Sequence, residues 1–458
     1  MLSKVGTLLT VMSVASYMQD WHNLDHVEPA SVRICETEAD VINAVRSSDG
    51  PIAVRATGHG QGSTLVPDGL VIDVNALRDI ISISPDSGIV VGAGCSFHDV
   101  LDALRPLNLT TVTQTDWQGL SVGGIVSVGG LGPGLFRHGL VIDSVTALRI
   151  VTGNGAVHDV GPDDDLFRAA LGGLGQFGVI LRVRLRVAPR PARARLHRCV
   201  TTLDGYLRAD YSSATLHNVQ TFPRLNQPGT FVNLESAFAD FPHDRYPDAW
   251  LFLHEYVSFY NDGAGNDGAG TVLRDEDVLA KYVRDVSYDE WVFRLDDKFG
   301  RRAPHVDETP LYRPWFEAFI GGQDAVEFID REVLRNVTAD DNPSGSLMIT
   351  YPVSSMRSVN SDSISFPDGF SSGIYFGWLR VTPDKEQAKR FRLQDDARRV
   401  RFQERSRGYL SSAMPRSVEQ WRLYLGEDRL VRLRLLADRH DARHRFSWRM
   451  FKGQDIRD

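Results

Sequence analysis

Two glycine-dense stretches contain the residue types that could do chemistry in this chain. The first, 58–62, places His59 between Gly58 and Gly60, and the second, 119–139, contains eight glycines. Glycine reaches positive φ easily and lets a backbone approach a ligand closely, with N–H groups directed at anionic oxygens. A flexible linker is the alternative, but the second stretch also contains apolar residues that solvated linkers avoid: Ile125, Val126, Val128 and Leu131. The pattern favours a ligand-bound loop at 119–139.

Short strands alternating with helices must position the first stretch. Helices are predicted at 97–104 and at 37–46, where Thr37 and Asp40 are spaced for a capping box. Apolar runs bounded by turn residues predict strands at 31–35, 52–56, 70–74 and 89–93. The order of these elements predicts an α+β domain with a glycine loop between strands.

A third glycine motif, Gly173 to Gly178, matches the dinucleotide fingerprint letter for letter. That fingerprint must follow a strand and open a helix. Here it precedes the run 179–187, in which apolar residues alternate with arginines from Leu181 onward, so a half-buried strand is predicted, ended by Pro189. The context therefore excludes a Rossmann nicotinamide domain.

A second domain of sheet and helices is predicted after Arg195, where segments with aromatic residues such as 250–256 begin. The sequence Asn-Asp-Gly-Ala-Gly occurs twice, at 261–265 and 266–270, and predicts a flexible turn. Residues 386–407 are rich in Arg, Lys, Gln and Glu. Such a segment favours an exposed helix with solvated charges over an RNA-binding site.

Composition and charge exclude several classes of protein. The 458 residues are 42% hydrophobic and 24% charged, as in ordinary globular proteins. Because 51 basic residues face 59 acidic ones, the net charge of −8 gives no reason to expect nucleic acid or an anionic membrane as a partner. No apolar run is long enough for a transmembrane helix. The segment from Leu8 to Trp21 is predicted to be an amphipathic helix rather than a signal peptide, which favours a cytoplasmic protein.

Neither the cysteines nor the last histidines predict a metal site. Cys35, Cys95 and Cys199 are far apart and odd in number, so they make neither a disulfide framework nor a zinc site. Solvation explains the cluster Asp438, His440, Asp441 and His444 better than metal binding does.

Five motifs follow one another along the chain: Gly58-His59-Gly60, Thr115-Asp116-Trp117, Ser121-Val122-Gly123-Gly124, Phe136-Arg137-His138-Gly139 and the block 171–180. Taken in this order, they resemble the FAD-linked oxidase family typified by vanillyl-alcohol oxidase and p-cresol methylhydroxylase. They are similar most of all to the cytokinin dehydrogenase branch. The resemblance implies a two-domain fold of the p-cresol methylhydroxylase type. Residues 1–195 and the returning segment 405–458 form the FAD-binding domain, and 196–404 form the substrate domain.

The resemblance also implies how FAD is held. His59 matches the histidine that is bonded to the 8α carbon of the flavin, although Gly60 replaces the usual serine. Some relatives add a cysteinyl bond from the loop at 115–122, but no cysteine lies there, so a single covalent bond is expected and Cys95 is a packed thiol. Backbone amides would bind the pyrophosphate, and further residues would line the cofactor. The expected cofactor-binding residues are Ala56, Thr57, Gly58, His59, Gly60, Thr64, Asp116, Ser121, Gly124, Ser127, Leu131, Val179, Ile180, Tyr409 and Ser447. The family's Pro-Gly-Gln near the C-terminus is replaced by Trp448-Arg449-Met450.

Asp116 matches the family's catalytic aspartate, and Tyr409 is expected to be a second catalytic residue, in contact with the isoalloxazine. A carboxylate near the flavin lowers the barrier to hydride loss by taking the proton of a neighbouring N–H or O–H group. His138 is expected to be a structural histidine. The predicted activity is oxidation of a small molecule at a carbon bearing nitrogen or oxygen, with dioxygen or another electron acceptor. Two alternatives stay open: a flavin-bearing protein that sequesters a small molecule, and a non-redox cyclase.

Overall fold

The frame of the protein consists of β-sheets with helices packed against them. The computed structural model describes residues 17–213, 216–226, 238, 241–247, 249–261, 272–303, 311–343, 345–354 and 360–452. These residues form both helices and sheets, so the α+β class predicted from the sequence is confirmed. No helix in these ranges is both long and apolar enough to cross a bilayer.

A small parallel sheet comes first in the chain, in the order β1-β3-β2, with helix α1 between β1 and β2. The predicted capping box is present: the Thr37 hydroxyl accepts from the Asp40 N–H, and the Asp40 carboxylate accepts from the Thr37 N–H. The four elements are β1 (Ser31–Ile34), α1 (Glu38–Ser47), β2 (Ile52–Arg55) and β3 (Leu70–Asp73).

An antiparallel five-stranded sheet follows in the order β4-β5-β9-β7-β8, and β6 pairs separately with β10. Its core extends under α2, α3 and α5 and includes the fully buried Phe97 and Phe167. The strands are β4 (Ile80–Ser84), β5 (Gly88–Gly92), β6 (Leu109–Thr111), β7 (Val145–Val151), β8 (Val157–Val160), β9 (Val179–Leu185) and β10 (Val187–Pro189). The helices are α2 (Phe97–Leu104), α3 (Val122–Val128), α4 (Leu135–His138) and α5 (Asp165–Ala170).

An antiparallel eight-stranded sheet has the order β14-β11-β13-β12-β16-β17-β15-β18. Its strands are β11 (Arg193–Thr201), β12 (Asn218–Leu225), β13 (Trp250–Tyr260), β14 (Ala280–Ser287), β15 (Trp315–Gly321), β16 (Leu347–Ser354), β17 (Ser372–Leu379) and β18 (Ser406–Gly408). Its helices are α6 (Leu203–Arg208), α7 (Tyr288–Val292), α8 (Asp296–Phe299), α9 (Gly322–Phe328) and α10 (Lys385–Arg401), and a π-helical turn covers Ile329–Leu334. The segment with aromatic residues at 250–256 lies within β13.

In the described part of the chain, three helices follow this sheet: α11 (Val418–Leu425), α12 (Glu427–His440) and α13 (Trp448–Lys452). They pack with the first part of the chain, since Trp421 and Leu433 belong to the same core cluster as Phe97. Short 3₁₀ helices lie at Arg105–Leu107, Val141–Ser144, His243–Arg245, Asp275–Asp277 and Ala339–Asp341.

The glycine-dense stretch 119–139 is not a continuous loop, contrary to the sequence prediction. It contains α3, which begins after Ser121 and ends at Gly129, and the short α4. Val122, Ile125 and Val126 are buried on one face of α3, which gives this segment a helical period. Gly123 lets α3 pack closely, because an added Cβ would lie 2.7 Å from the Cβ of Ala93.

Two further predictions differ from the structure or fall outside it. The predicted helix Leu8–Trp21 does not continue to Trp21, since Gln19 pairs with His26 in an antiparallel bridge and the Asp20 carboxylate accepts from the His22 N–H, 3.0 Å away. Residues 8–16 of that prediction, and the repeated sequence from 262 to 270, lie outside the described residues.

The charged segment 386–407 forms α10 only as far as Arg401, and some of its charges are buried rather than solvated. Asp395 forms an ion pair with the buried Arg380. Arg398 lies 3.3 Å from a carboxylate oxygen of Glu332. These ion pairs explain why charged residues can face the interior here.

Candidate functional site

The first glycine stretch leaves β2 in a sharp turn. Gly58 has φ +73°, and an added Cβ would lie 2.5 Å from Nη2 of Arg55, so glycine is required at this position. The carbonyl of Gly58 accepts a hydrogen bond from the Trp21 N–H, 3.0 Å away. Ala56 and Thr57, which precede the turn, are buried.

His59 lies on this turn between two aromatic rings. Its ring stacks on Trp21 with centroids 5.2 Å apart, and the edge of Trp117 meets it at 5.5 Å. Nδ1 of His59 donates to the carbonyl of Thr57, 3.2 Å away. Because Trp117 follows Asp116 in the chain, these contacts bring the two predicted reactive residues into one region.

Asp116 is held from the other side by two residues of the large-sheet region. The guanidinium of Arg294 forms an ion pair with Oδ1, and the Tyr351 hydroxyl donates to Oδ2 at 2.8 Å. Arg294 in turn stacks over the Trp291 ring at 3.7 Å. Burial and the charge of Asp116 raise the pKa of Tyr351 well above its ordinary value, so this hydroxyl stays a donor to the carboxylate.

A chain of tyrosines connects Asp116 with Tyr409. Tyr351 stacks on Tyr375 with centroids 5.4 Å apart, and Tyr375 meets Tyr409 edge-on at 6.1 Å. The hydroxyl of Tyr409 accepts from the Gly130 N–H at 2.9 Å. The Tyr375 hydroxyl donates to Glu317, whose pKa is raised by burial.

The other predicted cofactor residues occupy several elements. Ser121 is the N-cap of α3, and Ser127 donates to the Gly123 carbonyl at 2.7 Å. Val179 and Ile180 lie at the start of β9, paired with β7. Further positions are an exposed Gly124 on α3, a half-buried Leu131 after it, and a fully buried Ser447 hydroxyl 2.9 Å from Nδ1 of His444.

Comparison with known proteins agrees with the resemblance found in the motifs. A family model described as FAD binding domain matches residues 29–161. Cytokinin dehydrogenase 3 of Arabidopsis thaliana is 32% identical over 402 residues, which cover 78% of this chain and 73% of the relative. The chain belongs to the FAD-linked oxidoreductase family that includes the cytokinin dehydrogenases.

Other members of this family are similar over the same extent. Cytokinin dehydrogenase 9 of Oryza sativa subsp. japonica is 29% identical over 390 residues, covering 78% of this chain and 73% of the relative. A bacterial oxidoreductase encoded in the fasciation locus of Rhodococcoides fascians is 28% identical over 344 residues, covering 73% of this chain and 74% of the relative. The protein is therefore an FAD-linked oxidase or dehydrogenase.

The polar atoms around the glycine stretches fit an FAD cofactor. Among the described residues, the polar side-chain atoms that are buried without a hydrogen-bond partner include Oγ1 of Thr64, Oε1 of Gln61 and Nε2 of Gln176. Thr64 and Gln61 follow the His59 turn, and Gln176 lies just before β9. Buried polar atoms are normally paired, so a polar ligand along these stretches would satisfy them.

A cavity of about 250 Å³ is lined by Thr115, which precedes Asp116 in the chain, and by Arg294, its ion-pair partner. His138 also lines it, and burial together with the charge of Arg137 lowers the pKa of His138 to about 4. A neutral, half-buried imidazole is consistent with the structural role expected for His138. No residue expected to bind FAD lines this cavity, which separates it from the glycine turn.

The metal-like cluster near the C-terminus does not gather its side chains. Nε2 of His444 lies 2.8 Å from Asp438, whereas His440 meets the ring of His158 at 5.1 Å. Over the ranges that the structure describes, no group of three His, Cys, Asp or Glu side chains could hold a metal ion.

Sequence reasoning missed Arg294 and Tyr351 as partners of Asp116. Tyr351 lies on β16, outside the motifs from which the site was predicted. Arg294 lies among alternating charges after α7, where nothing in the local pattern distinguishes it. Both residues reach Asp116 from more than one hundred positions away, as the separations of 178 and 235 residues show.

Gly132 fixes the distance between the second glycine stretch and the Asp116 segment. An added Cβ would overlap the carbonyl oxygen of Gln114 and lie 3.3 Å from the Cα of Thr115. We expect Gly132→Ala to lower the free energy of unfolding by about 2 kcal/mol, because backbone on both sides must move. Denaturant unfolding measures this. Gly322→Ala is the control, since its added Cβ would have no neighbour closer than 3.8 Å; equal effects of the two substitutions would contradict the argument.

His22 is a buried histidine behind Trp21, and neither of its ring nitrogens has a hydrogen-bond partner in the described residues. Burial, with the charges of His59 and Arg313, lowers its pKa to about 3. The unfolded chain therefore takes up a proton near pH 6.5 that the folded chain rejects, and stability falls as pH drops below 6.5.

We expect His22→Phe to remove this loss. Each pH unit below 6.5 lowers the free energy of unfolding of the wild type by about 1.4 kcal/mol through His22. Between pH 7 and pH 5 the wild type should therefore lose about 2 kcal/mol more stability than the variant. Denaturant unfolding at the two pH values measures the difference. The exposed His26, replaced by Gln, should show no such change; a wild type and His22→Phe that respond identically to pH would refute the prediction.

Proposed function

We propose that this protein carries FAD bonded covalently to His59 and oxidises a small molecule at a C–H bond next to nitrogen or oxygen, with Asp116 as the proton acceptor. The observation that carries the proposal is the placement of Asp116 beside Trp117, whose ring meets His59 at 5.5 Å. When bound, FAD would accept two electrons as its bond to His59 forms and two electrons with the substrate hydride, and it would pass them to dioxygen or another acceptor.

The role of His59 follows from how its ring is held. The stack on Trp21 and the hydrogen bond from Nδ1 to the Thr57 carbonyl fix the ring at the turn that opens the first glycine stretch. A fixed, half-buried imidazole loses little freedom on forming a bond. The neighbouring backbone at Gly58 and Gly60 offers N–H groups suited to phosphate oxygens.

The role of Asp116 follows from its two partners. Arg294 forms an ion pair with Oδ1 and holds the carboxylate in place. Tyr351 donates to the other oxygen and fixes its direction. As hydride leaves the substrate carbon, the proton of the neighbouring N–H or O–H passes to Asp116, which completes the two-electron oxidation.

Tyr409 would act at the opposite end of the tyrosine chain. Its hydroxyl bonds to the Gly130 N–H, just beyond α3. We propose that Tyr409 positions the flavin ring rather than transferring a proton. Burial and the nearby Glu317 raise its pKa well above the ordinary value, which makes it a poor source of protons.

We propose that the chain forms two domains, an FAD-binding domain made of 1–195 and 405–458 and a substrate-binding domain made of 196–404. Contacts that support it join the end of the chain to its beginning: Ile52 N–H donates to the Arg445 carbonyl at 2.7 Å, and Met450 N–H donates to Gln176 at 3.0 Å. The large sheet extends slightly beyond the middle part, from Arg193 to Gly408.

An anaerobic titration tests the proposed reaction. Purified protein is mixed with a panel of cytokinin-like adenines, small amines and alcohols, and the visible absorbance of the flavin is followed. The similarity to cytokinin dehydrogenases places adenines first in the panel. Bleaching by a panel member, reversed by dioxygen, is the expected result. A flavin that stays yellow while the compound binds would favour sequestration, and a product of unchanged oxidation state would favour a cyclase.

A further inference from the structure

The last helix, α13, directs a guanidinium into the interior of the protein. Arg449 is 5% exposed and lies over the Trp448 ring at 4.2 Å. Its Nη1 donates to the Ser63 carbonyl at 3.0 Å, and its Nη2 donates to the Gly62 carbonyl at 2.9 Å. These carbonyls belong to the turn that begins at Gly58 and His59.

The charge of Arg449 is not balanced by a carboxylate. Among the described residues, none lies within ion-pair distance of Arg449, and its Nε is buried without a hydrogen-bond partner. Asp25 is the acidic group that acts on it, but Asp25 already pairs with Arg392 at 2.7 Å and with Arg416 at 3.8 Å. Burial and Arg416 lower the pKa of Arg449 to about 9, so it still carries its charge at neutral pH.

A buried, charged guanidinium without a counter-ion is unfavourable unless an anion completes the site. The position of Arg449 limits which anion that is. One neighbour in the chain, Met450, donates its N–H to Gln176 at 3.0 Å, while Arg449 itself contacts Gly62 and Ser63. Arg449 therefore lies where the turn that begins at Gly58 comes close to the glycine motif 173–178. Both segments belong to the motifs that resemble FAD-linked oxidases, and the pyrophosphate is the anionic part of FAD.

We propose that Arg449 binds the pyrophosphate of FAD and supplies its positive counter-charge. The proposal rests on the proposed binding of FAD along 56–60. It adds a cationic side chain to a site otherwise made of backbone amides. The Trp448-Arg449-Met450 segment departs from the family pattern, so a contact of Arg449 with the pyrophosphate would be specific to this chain. A guanidinium suits this task because its planar donors match two phosphate oxygens.

Reversible flavin binding tests the proposal in a His59→Ala background, which removes the proposed covalent bond. The dissociation constants of FAD and of riboflavin, which lacks the pyrophosphate, are measured by quenching of flavin fluorescence. Arg449→Met should weaken FAD binding about 10- to 100-fold and leave riboflavin binding unchanged. Arg443→Gln is the matched control, since Arg443 lies in the same segment and is 67% exposed; it should alter neither constant.

Thermal unfolding without flavin adds an independent reading. Because Arg449→Met removes an unbalanced buried charge, the melting temperature of the flavin-free variant should equal or exceed that of its parent. A purely structural Arg449 would instead give a lower melting temperature and equal losses of both flavins, and would overturn the proposal. An Arg449→Met variant that does not fold would likewise overturn the proposal. Unchanged FAD affinity overturns the Arg449 contact alone, whereas a parent that binds neither flavin overturns the proposed FAD site as well.

Discussion

Asp116→Asn should slow reduction of the flavin by substrate about 100- to 10,000-fold, the usual range for loss of a positioned proton acceptor. The amide is nearly the same size as the carboxylate and can still accept from Tyr351, so the site should keep its shape. What disappears is the ability to take a proton while hydride leaves. The rate constant for flavin bleaching in anaerobic stopped-flow mixing, using the panel compound that reduces the wild type, measures the effect directly.

The controls for this experiment separate proton transfer from damage to the site. Asp297→Asn changes an exposed carboxylate in α8 and should leave the rate within about twofold, as for surface substitutions generally. Tyr351→Phe removes only the hydrogen bond that directs Asp116. Its effect on the rate of flavin reduction should be about tenfold smaller than the effect of Asp116→Asn. An Asp116→Asn variant that reduces its flavin at the wild-type rate would remove Asp116 from the chemistry altogether.

His59→Ala should abolish covalent attachment. The intact mass of the purified wild type should exceed the mass of its polypeptide by one FAD, and that increment should be absent from the variant. Because the glycine turn remains, together with the unpartnered polar atoms Oγ1 of Thr64 and Nε2 of Gln176, some FAD should still bind, but acid precipitation should release it. Mass spectrometry of the denatured protein gives an all-or-none answer.

His138→Asn is the matched control for this loss. His138 is also a half-buried histidine beside a glycine stretch, but it lines the cavity near Thr115 and has no contact with the turn at Gly58. Its variant should keep the full mass increment. Retention of the increment in His59→Ala would show that another residue carries the bond, and a wild type with no increment would show that the FAD is held without one.

Local sequence signals predicted the elements that are stabilised locally. The capping box of Thr37 and Asp40 placed α1 within one residue, and the apolar period of 97–104 predicted α2 with its observed bounds. The glycine stretch was misjudged because its helix α3 is stabilised by packing. Gly123 and Gly124 disfavour a helix, but contact with Ala93 outweighs that preference.

The candidate site could be predicted only in the parts that come from contiguous motifs. The His59 turn and Asp116 belong to such motifs, and the match to the FAD binding domain agrees with the cofactor they imply. Arg294 and Tyr351 hold Asp116 through contacts across the molecule, and no spacing in the sequence encodes them. Arg449 was hidden for another reason, since it stands where the chain departs from the family pattern.

The hydrogen bonds of Arg445 join residues beside the first sheet to a segment that is synthesised much later. The guanidinium of Arg445 donates to the carbonyl of Val45, 400 residues earlier in the chain, and its own carbonyl accepts from Ile52 at the start of β2. Contacts of such sequence separation form late and slowly. These contacts therefore form only after the segment around Arg445 has been synthesised. Until then the Val45 carbonyl and the Ile52 N–H lack these partners, so help from chaperones is to be expected when the protein is overproduced.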